Sequence, residues 1–179
     1  IDTSPERDSG QLELDHARGD IHFDGVSFGY PGDHRIVLNE VSLEIPAGKM
    51  VAFVGRSGAG KSTLMHLLCR FYVPTSGGIQ LDGTPIEHFR LADLRRQIAL
   101  VSQRVVLFSD TIRANVAFGH KHRANDASLR QALETAQAWD FVEALPEGLD
   151  TVLGNGGDEL SGGQRQRLAI ARAVLKDAP

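Results

Sequence analysis

Cysteine is almost absent from this chain of 179 residues, and other absences narrow its class further. The single Cys69 cannot form an internal disulfide, which is typical of proteins in a reducing compartment. No apolar run approaches the roughly 18 residues that a membrane-spanning helix needs, since stretches such as residues 50–54 are only strand-sized. Basic residues are not in excess, and the net charge of −4 argues against a dedicated duplex-DNA or polybasic membrane-surface protein. The remaining composition, 41% hydrophobic and 23% charged, indicates a folded globular domain.

Residues 1–19 are polar and charged and carry no sustained hydrophobic period, so we interpret them as a linker or tail. They begin without Met, and they lack the charged start and apolar stretch of a signal peptide. We therefore expect the chain to be a piece of a longer protein, with its folded domain over residues 20–179.

From residue 20 onward the hydrophobic pattern predicts strands followed by helices. Alternating runs at residues 21–28 and 37–45 predict an antiparallel pair. Short continuous apolar runs at residues 50–54 and 98–101 predict strands buried on both faces of a parallel sheet. Helical spacing predicts helices over residues 61–71, 91–97 and 111–145, and a last one after the glycine-rich loop 154–157. This alternation is typical of an α/β fold.

The segment Gly55-Arg56-Ser57-Gly58-Ala59-Gly60-Lys61-Ser62, here called the phosphate loop, matches the pattern G-x-x-x-x-G-K-S/T. Its glycines let successive N–H groups point at phosphate oxygens, and the following helix N-terminus adds partial positive charge. Lys61 would supply a point charge for the β- and γ-phosphates, and the Ser62 hydroxyl would ligate Mg²⁺. The alternative is a chance glycine-rich turn, but a predicted strand before it and a helix after it favour a nucleotide site.

Leu160-Ser161-Gly162-Gly163-Gln164, here called the signature segment, stands at the predicted start of the last helix. By itself it is a sound helix start, because Ser161 is a good N-cap. Together with the phosphate loop, it makes the sequence resemble the ATP-binding domain of ABC transporters, in which L-S-G-G-Q is the defining signature.

Two further residues match this family in the expected order. Tyr30 matches the aromatic residue that stacks on adenine, a contact typically worth about 1–3 kcal/mol; the alternative is a core tyrosine beside a turn. Gln103 matches the Q-loop glutamine, which contacts Mg²⁺ and the attacking water and senses the transmembrane domain. The resemblance thus implies Lys61 and Gln103 as catalytic residues, and Ser62 and Gln103 as metal-binding residues. The residues that it assigns to ATP binding are Tyr30, Gly55, Arg56, Ser57, Gly58, Ala59, Gly60, Lys61, Ser62, Thr63, Gln103, Leu160, Ser161, Gly162, Gly163 and Gln164.

The resemblance covers residues 19–179 and is greatest to bacterial half-transporter exporters of the lipid A flippase type. It implies an α/β P-loop NTPase fold with an antiparallel β front, a partial RecA-like core and a helical signature subdomain over about residues 104–177. Residues 1–19 would be the linker from a transmembrane domain that is missing upstream. The sequence departs from the family at Asn155, where exporters usually carry Glu. By comparison with the family, Pro179 stands before the Walker B strand, so we expect this chain to lack the magnesium-binding Asp, the catalytic Glu and the C-terminal strands.

In function, the resemblance implies an ATPase domain that powers export or flipping of a lipid or other amphipath at the cytoplasmic face of the inner membrane. Two copies would associate head to tail, each signature segment facing the γ-phosphate held by the other copy. Its expected partners are therefore a second nucleotide-binding domain and the transmembrane domain, with no nucleic acid. We expect the full protein to hydrolyse ATP and this chain alone to be inactive. The alternatives are a P-loop kinase or GTPase, a non-transport ABC ATPase of DNA repair or translation, and an importer subunit.

For two other pairs of residues, a solvated surface position is favoured over a functional site. His120 and His122 flank a lysine in a polar loop, and a solvated loop is favoured over a metal site. Arg165 and Arg167 lie on the last predicted helix, where a solvated face is the default over contact with phosphate or a partner.

Overall fold

The computed structural model describes residue 6, residues 8–119 and residues 124–179, and it divides the chain into two compact units. The N-terminal unit runs to residue 98, and the helical unit covers residues 99–178. Among the described residues, no helix is both long enough and apolar enough to cross a membrane.

A four-stranded antiparallel sheet, in the order β2-β1-β3-β4, forms the framework of the N-terminal unit. Its strands are β1 (Ile21–Phe28), β2 (Leu38–Ile45), β3 (Ser76–Leu81) and β4 (Thr84–Pro85). The β1–β2 pairing confirms the predicted antiparallel pair. A register shift between Phe23 and Val26 adds a residue to β1, so that Phe23, Val26 and Phe28 are all buried despite their uneven spacing.

Helices α1 (Lys61–Leu68) and α2 (Leu91–Arg96) share one hydrophobic core with this sheet. Leu67 and Leu94 are completely buried there. Helix α1 ends three residues earlier than its periodicity predicts, because Arg70 adopts a left-handed conformation with φ of 53° that a helix cannot continue.

The two buried strands predicted at residues 50–54 and 98–101 do not form. Met50 is fully exposed and Val54 is 94% exposed, although Phe53 packs against the core. An extended segment becomes a strand only when another strand pairs with its N–H and C=O groups. In the part of the chain that the structure describes, no strand pairs with either segment, so this prediction is wrong.

Residues 8–20, here called the strap, run along the N-terminal unit and contact it repeatedly. Leu12 forms an isolated parallel bridge with Phe89. Ala17 is 3% exposed and donates its backbone N–H to Gln97 Oε1 at 3.1 Å. These contacts make the described part of the predicted linker an ordered component of the unit; residues 1–5 and 7 lie outside the described residues.

The helical unit confirms that the described part of residues 111–145 is largely helical, but as three separate helices, and it confirms the last predicted helix. Residues 120–123 lie outside the described residues. Its helices are α3 (Ile112–Val116), α4 (Asp126–Thr135), α5 (Trp139–Glu143) and α6 (Gly162–Lys176). Leu129 and Leu133 of α4 pack into one core with Leu168 of α6, and all three side chains are at most 1% exposed.

Candidate nucleotide-binding site

The phosphate loop turns into helix α1 through two glycines in the left-handed conformation. Gly58 has φ of 80° and Gly60 has φ of 84°. A Cβ on Gly60 would lie 2.6 Å from Leu38 Cδ2 and 3.2 Å from the Val37 carbonyl, so only glycine lets the loop pass this close to β2. The local sequence therefore dictates a tight backbone curl immediately before α1.

The start of α1 presents backbone donors that the chain leaves open to an anion. Its N-cap, Gly60, provides no side-chain hydrogen bond, and the first helical turn contains no acidic residue. The second helical residue, Ser62, is exposed. Unpaired N–H groups and the positive end of the helix dipole together favour a phosphate at this position.

Lys61 is folded across the phosphate loop. Its Nζ donates hydrogen bonds to the Gly55 and Arg56 carbonyls, both at 2.8 Å. An ammonium group has three N–H donors, so one donor is left for an outside acceptor such as a phosphate oxygen. The lysine thus stabilises the curled loop and keeps its charge beside the start of α1.

Tyr30 lies in an aromatic cluster that is anchored to the same helix. Its hydroxyl is 3.0 Å from Thr63 Oγ1 and 3.4 Å from His66 Nδ1. Its ring meets Phe28 and Tyr72 edge-on, with ring centroids 5.0 and 5.1 Å apart. The structure therefore brings together two predicted site residues, Tyr30 and Thr63. Sequence reasoning does not identify His66, although its spacing of three from Thr63 places both on one helix face.

The signature segment forms a capped helix start, as predicted. Ser161 Oγ accepts the Gln164 N–H at 3.2 Å, and Gln164 Oε1 accepts the Ser161 N–H at 2.8 Å. Leu160 is buried and fixes the segment to the core of the helical unit. Gly162 and Gly163 are exposed, and nothing lies within 4 Å of a Cβ built on either. Bare backbone is therefore open to solvent at the start of α6.

The two arginines expected on a solvated face of α6 also make specific contacts. Arg165 Nη1 donates to the Leu160 carbonyl at 2.7 Å and to the Gly157 carbonyl at 3.2 Å. Arg167 Nη1 donates to the Gln137 carbonyl at 2.8 Å. Both arginines remain partly exposed, and both guanidinium groups also reach backbone carbonyls outside α6, so the prediction of a solvated face holds only in part.

A carboxylate supports the turn that precedes the signature segment. Glu159 Oε1 accepts the Gly154 backbone N–H at 2.6 Å. This hydrogen bond favours the ionised form and lowers the pKa of Glu159 from its ordinary value.

Gln103 lies near the start of α6 within the helical unit. It contributes to a polar cavity of about 590 Å³. The other residues that line this cavity are Arg104, Val105, Gly162, Arg165 and Gln166. The structure thus places two predicted site residues, Gln103 and Gly162, around one cavity.

Two polar side chains that sequence reasoning does not identify hold the loop after Gln103. The Asn115 side chain, in a residue 1% exposed, accepts the Phe108 N–H at 2.8 Å and donates to the Phe108 and Thr111 carbonyls, both at 3.0 Å. Arg172 Nε donates to the Asn115 carbonyl at 2.8 Å. Burial lowers the pKa of Arg172 from its ordinary value. Asn115 and Arg172 are 57 positions apart, so no local pattern predicts this contact.

Among the described residues, no cluster of three or more His, Cys, Asp or Glu side chains would hold a metal ion. Mg²⁺ is often bound by phosphate oxygens, water and only one or two protein groups. The exposed Ser62 hydroxyl at the start of α1 fits that role. His120 and His122 lie outside the described residues.

A glycine-rich loop that ends at a helix start, with a lysine folded across it, defines a P-loop protein with a site for nucleotide phosphates. A family model described as "ABC transporter" matches residues 38–179. The chain belongs to the ABC transporter family, and its fold is the mixed α/β P-loop fold of that family's ATPase domain. This finding confirms the family and fold class expected from the sequence.

Known proteins resemble the chain along its whole length. Proteins named ATP-dependent lipid A-core flippase are 54% identical in Alkalilimnicola ehrlichii, over 179 residues, and 55% identical in Ralstonia nicotianae, over 181 residues. The alignments cover 100% of this chain and, respectively, 30% and 31% of the length of those two relatives. A solved structure of "a bacterial Atm1-family ABC exporter with ATP bound" matches with a TM-score of 0.88 and 42% identity, over 100% of this chain and 31% of that one. The chain therefore spans just under one third of the length of these proteins.

Proposed function

We propose that this chain is the ATP-binding and ATP-hydrolysing domain of an ABC exporter. The observation that carries the proposal is a pair of helix N-termini with exposed backbone, that of α1 at the end of the phosphate loop and that of α6 within the signature segment. They occur in a chain that is more than half identical to named flippases. Neither a P-loop kinase nor a GTPase requires the second of these features. The names of the relatives favour an exporter over an importer subunit or a non-transport ATPase.

In this proposal the phosphates of ATP bind at the start of α1. The third N–H donor of Lys61 approaches the β- and γ-phosphates, and the ring of Tyr30 stacks on the adenine. The Ser62 hydroxyl and the Gln103 side-chain oxygen would be the protein groups that hold Mg²⁺, and Gln103 would also contact the attacking water. When bound, the metal neutralises charge that develops on the phosphates.

The proposed working unit is a head-to-tail pair of copies. The exposed backbone at Gly162 and Gly163 would face the γ-phosphate that the other copy holds, since a helix start favours an anion. Two identical composite sites then form about one two-fold axis. ATP stabilises the closed pair because it binds both copies, and hydrolysis releases them.

We further propose that the helical unit docks on a transmembrane domain at the cytoplasmic face of the membrane. Three exposed apolar side chains support this, namely Val106, Phe108 and Phe118, which are 60%, 40% and 52% exposed. The rings of Phe108 and Phe118 lie together, with centroids 4.5 Å apart. Exposed apolar patches of this kind typically mark interaction sites. The cargo would be a lipid or other amphipath, as the names of the relatives suggest.

The test is ATP hydrolysis by the full-length gene product in liposomes. We expect Lys61→Ala to lower the rate at least about 100-fold, because it removes a charge aimed at the transferred phosphoryl group. Lys49→Ala is the matched control, since Lys49 is exposed and lies outside the phosphate loop. Hydrolysis that survives Lys61→Ala would contradict the proposal. Movement of a labelled lipid between leaflets, dependent on ATP and lost in Lys61→Ala, tests the export step.

A further inference from the structure

We propose that Thr63 and His66 are positioning residues that fix the ring of Tyr30 for the nucleotide base. This inference rests on the proposed function, because it assumes that the site binds ATP. The ring face of Tyr30 stacks on the base in the proposed function, whereas its hydroxyl is the group that Thr63 and His66 hold. As a consequence, helix α1 sets both the phosphate end and the base end of the site.

The Tyr30 hydroxyl is anchored on helix α1. Thr63 is 4% exposed, and a buried hydroxyl needs a hydrogen-bond partner. Tyr30 provides that partner at 3.0 Å, and His66 Nδ1 lies 3.4 Å from the same phenol oxygen. The hydroxyl is therefore held at two positions on α1, three residues apart on one face of the helix.

Two neighbouring aromatic rings contact the ring of Tyr30. Phe28 meets the Tyr30 ring at an interplanar angle of 81°, and Tyr72 meets it at 90°. Edge-to-face contacts of this type are favourable and restrict rotation of the ring. With its hydroxyl anchored and two rings braced against it, Tyr30 has little freedom to adjust to a ligand.

Helix α1 links the phosphate end of the proposed site to its base end. Lys61 and Ser62 begin α1, and Thr63 and His66 follow them on the same helix. A helix is a rigid spacer of about 1.5 Å per residue. The separation between the phosphate donors and the Tyr30 ring is therefore fixed in advance, which favours a ligand carrying both a base and a triphosphate over a bare triphosphate.

The test compares two probes, ATP and inorganic tripolyphosphate, by calorimetric titration of the full-length gene product. Tyr30→Phe keeps the aromatic ring and removes the anchored hydroxyl. We expect it to raise the dissociation constant for ATP by about three- to tenfold, because binding must then immobilise a ring that its hydroxyl no longer holds in place. The dissociation constant for tripolyphosphate should stay within about twofold, since the lost contact involves neither Lys61 nor the carbonyls of the phosphate loop that Lys61 contacts.

His66→Leu tests the second anchor through a double-mutant cycle. Alone, it should weaken ATP binding less than Tyr30→Phe does, because the Thr63 contact remains. Added to Tyr30→Phe, it should have no further effect, since the hydroxyl that it would contact is already gone. If His66 had only a general packing role, the losses of ATP affinity in the two single variants would add in the double variant, and the binding of tripolyphosphate would weaken as well.

Thr135→Val is the control. It removes a hydroxyl that donates to the Gln131 carbonyl at 2.9 Å in helix α4 of the helical unit, and it leaves the Tyr30 anchor and its neighbouring rings intact. It should bind both probes as the unmodified protein does. Equal weakening of ATP and tripolyphosphate by Tyr30→Phe, or no weakening of either, would overturn the inference. If the unmodified protein bound neither probe, the proposed function itself would fail, so the two failures are distinguishable.

Discussion

Gly60 shows how a single residue without a side chain determines the shape of the phosphate loop. Both Gly58 and Gly60 have positive φ, but only Gly60 is crowded, with a built Cβ 2.6 Å from Leu38 Cδ2. We expect Gly58→Ala to lower the free energy of unfolding by about 1 kcal/mol, the cost of left-handed backbone for a residue with a Cβ. Gly60→Ala should cost about 2–4 kcal/mol, because β2 or the loop must also shift. Urea unfolding measures both variants, and equal costs would contradict the steric argument.

In the helical unit, Asn115 is a single residue on which the local structure depends, as the phosphate loop depends on Gly60. Its buried amide satisfies both backbone groups of Phe108 and the carbonyl of Thr111, so its removal leaves several polar groups unpaired. We expect Asn115→Ala to cost about 2–4 kcal/mol, by the usual penalty for such groups. Asn125→Ala is the matched comparison: it removes an exposed helix cap, which typically costs about 1 kcal/mol. Chemical unfolding that ranks the two variants in the opposite order would contradict the role assigned to Asn115.

Among the elements, helix α2 depends on the strap for its N-terminal cap. The N-cap residue Arg90 makes no side-chain cap, and Asp8 Oδ2 accepts the Leu91 N–H at 2.9 Å instead. That hydrogen bond, with a further one from Gly10, lowers the pKa of Asp8. A lowered pKa in the folded state means that the stabilisation is complete above the ordinary pKa of about 4. It is lost as the pH falls through the lower pKa of the folded protein.

Acid should therefore weaken the contact between the strap and the start of α2. We expect the hydrogen-exchange protection of the Leu91 amide, corrected for intrinsic rates, to decrease as the pH falls below about 4. Asp8→Asn should lower this protection at neutral pH and abolish its dependence on pH, since the amide does not titrate. A Leu91 amide whose protection is independent of pH in the unmodified protein would show that Asp8 does not hold α2.

The elements that could be predicted from the sequence are those that local patterns determine. The β1–β2 pair, α1 and the capped start of α6 each follow from alternation, helical spacing or a capping residue within a few positions. Residues 50–54 have an equally clear apolar pattern, but whether they form a strand depends on pairing that the pattern cannot encode. The contact of Arg172 with Asn115 is missed for the same reason, since it joins distant parts of the chain.

At the scale of the whole molecule, the two helix starts belong to different units of the chain. The phosphate loop and α1 lie in the N-terminal unit, and the signature segment and α6 lie in the helical unit. In the proposed head-to-tail pair, a complete site takes its phosphate loop from one copy and its signature segment from the other. A substitution in either feature should therefore inactivate one site of a mixed pair without touching the second.

Two mixed pairs of full-length copies distinguish this arrangement from sites completed within one copy. One pair combines Lys61→Ala in one copy with Gly163→Asp in the other; the second combines an unmodified copy with a copy carrying both substitutions. The introduced aspartate has room for its side chain, because nothing lies within 4 Å of a Cβ at Gly163, but its charge opposes a phosphate. Head-to-tail sites leave one intact site in the first pair and none in the second. Each pair is purified through two affinity tags, and its ATPase rate is measured. Both pairs carry the same substitutions, so a higher rate in the second pair would refute the proposed arrangement.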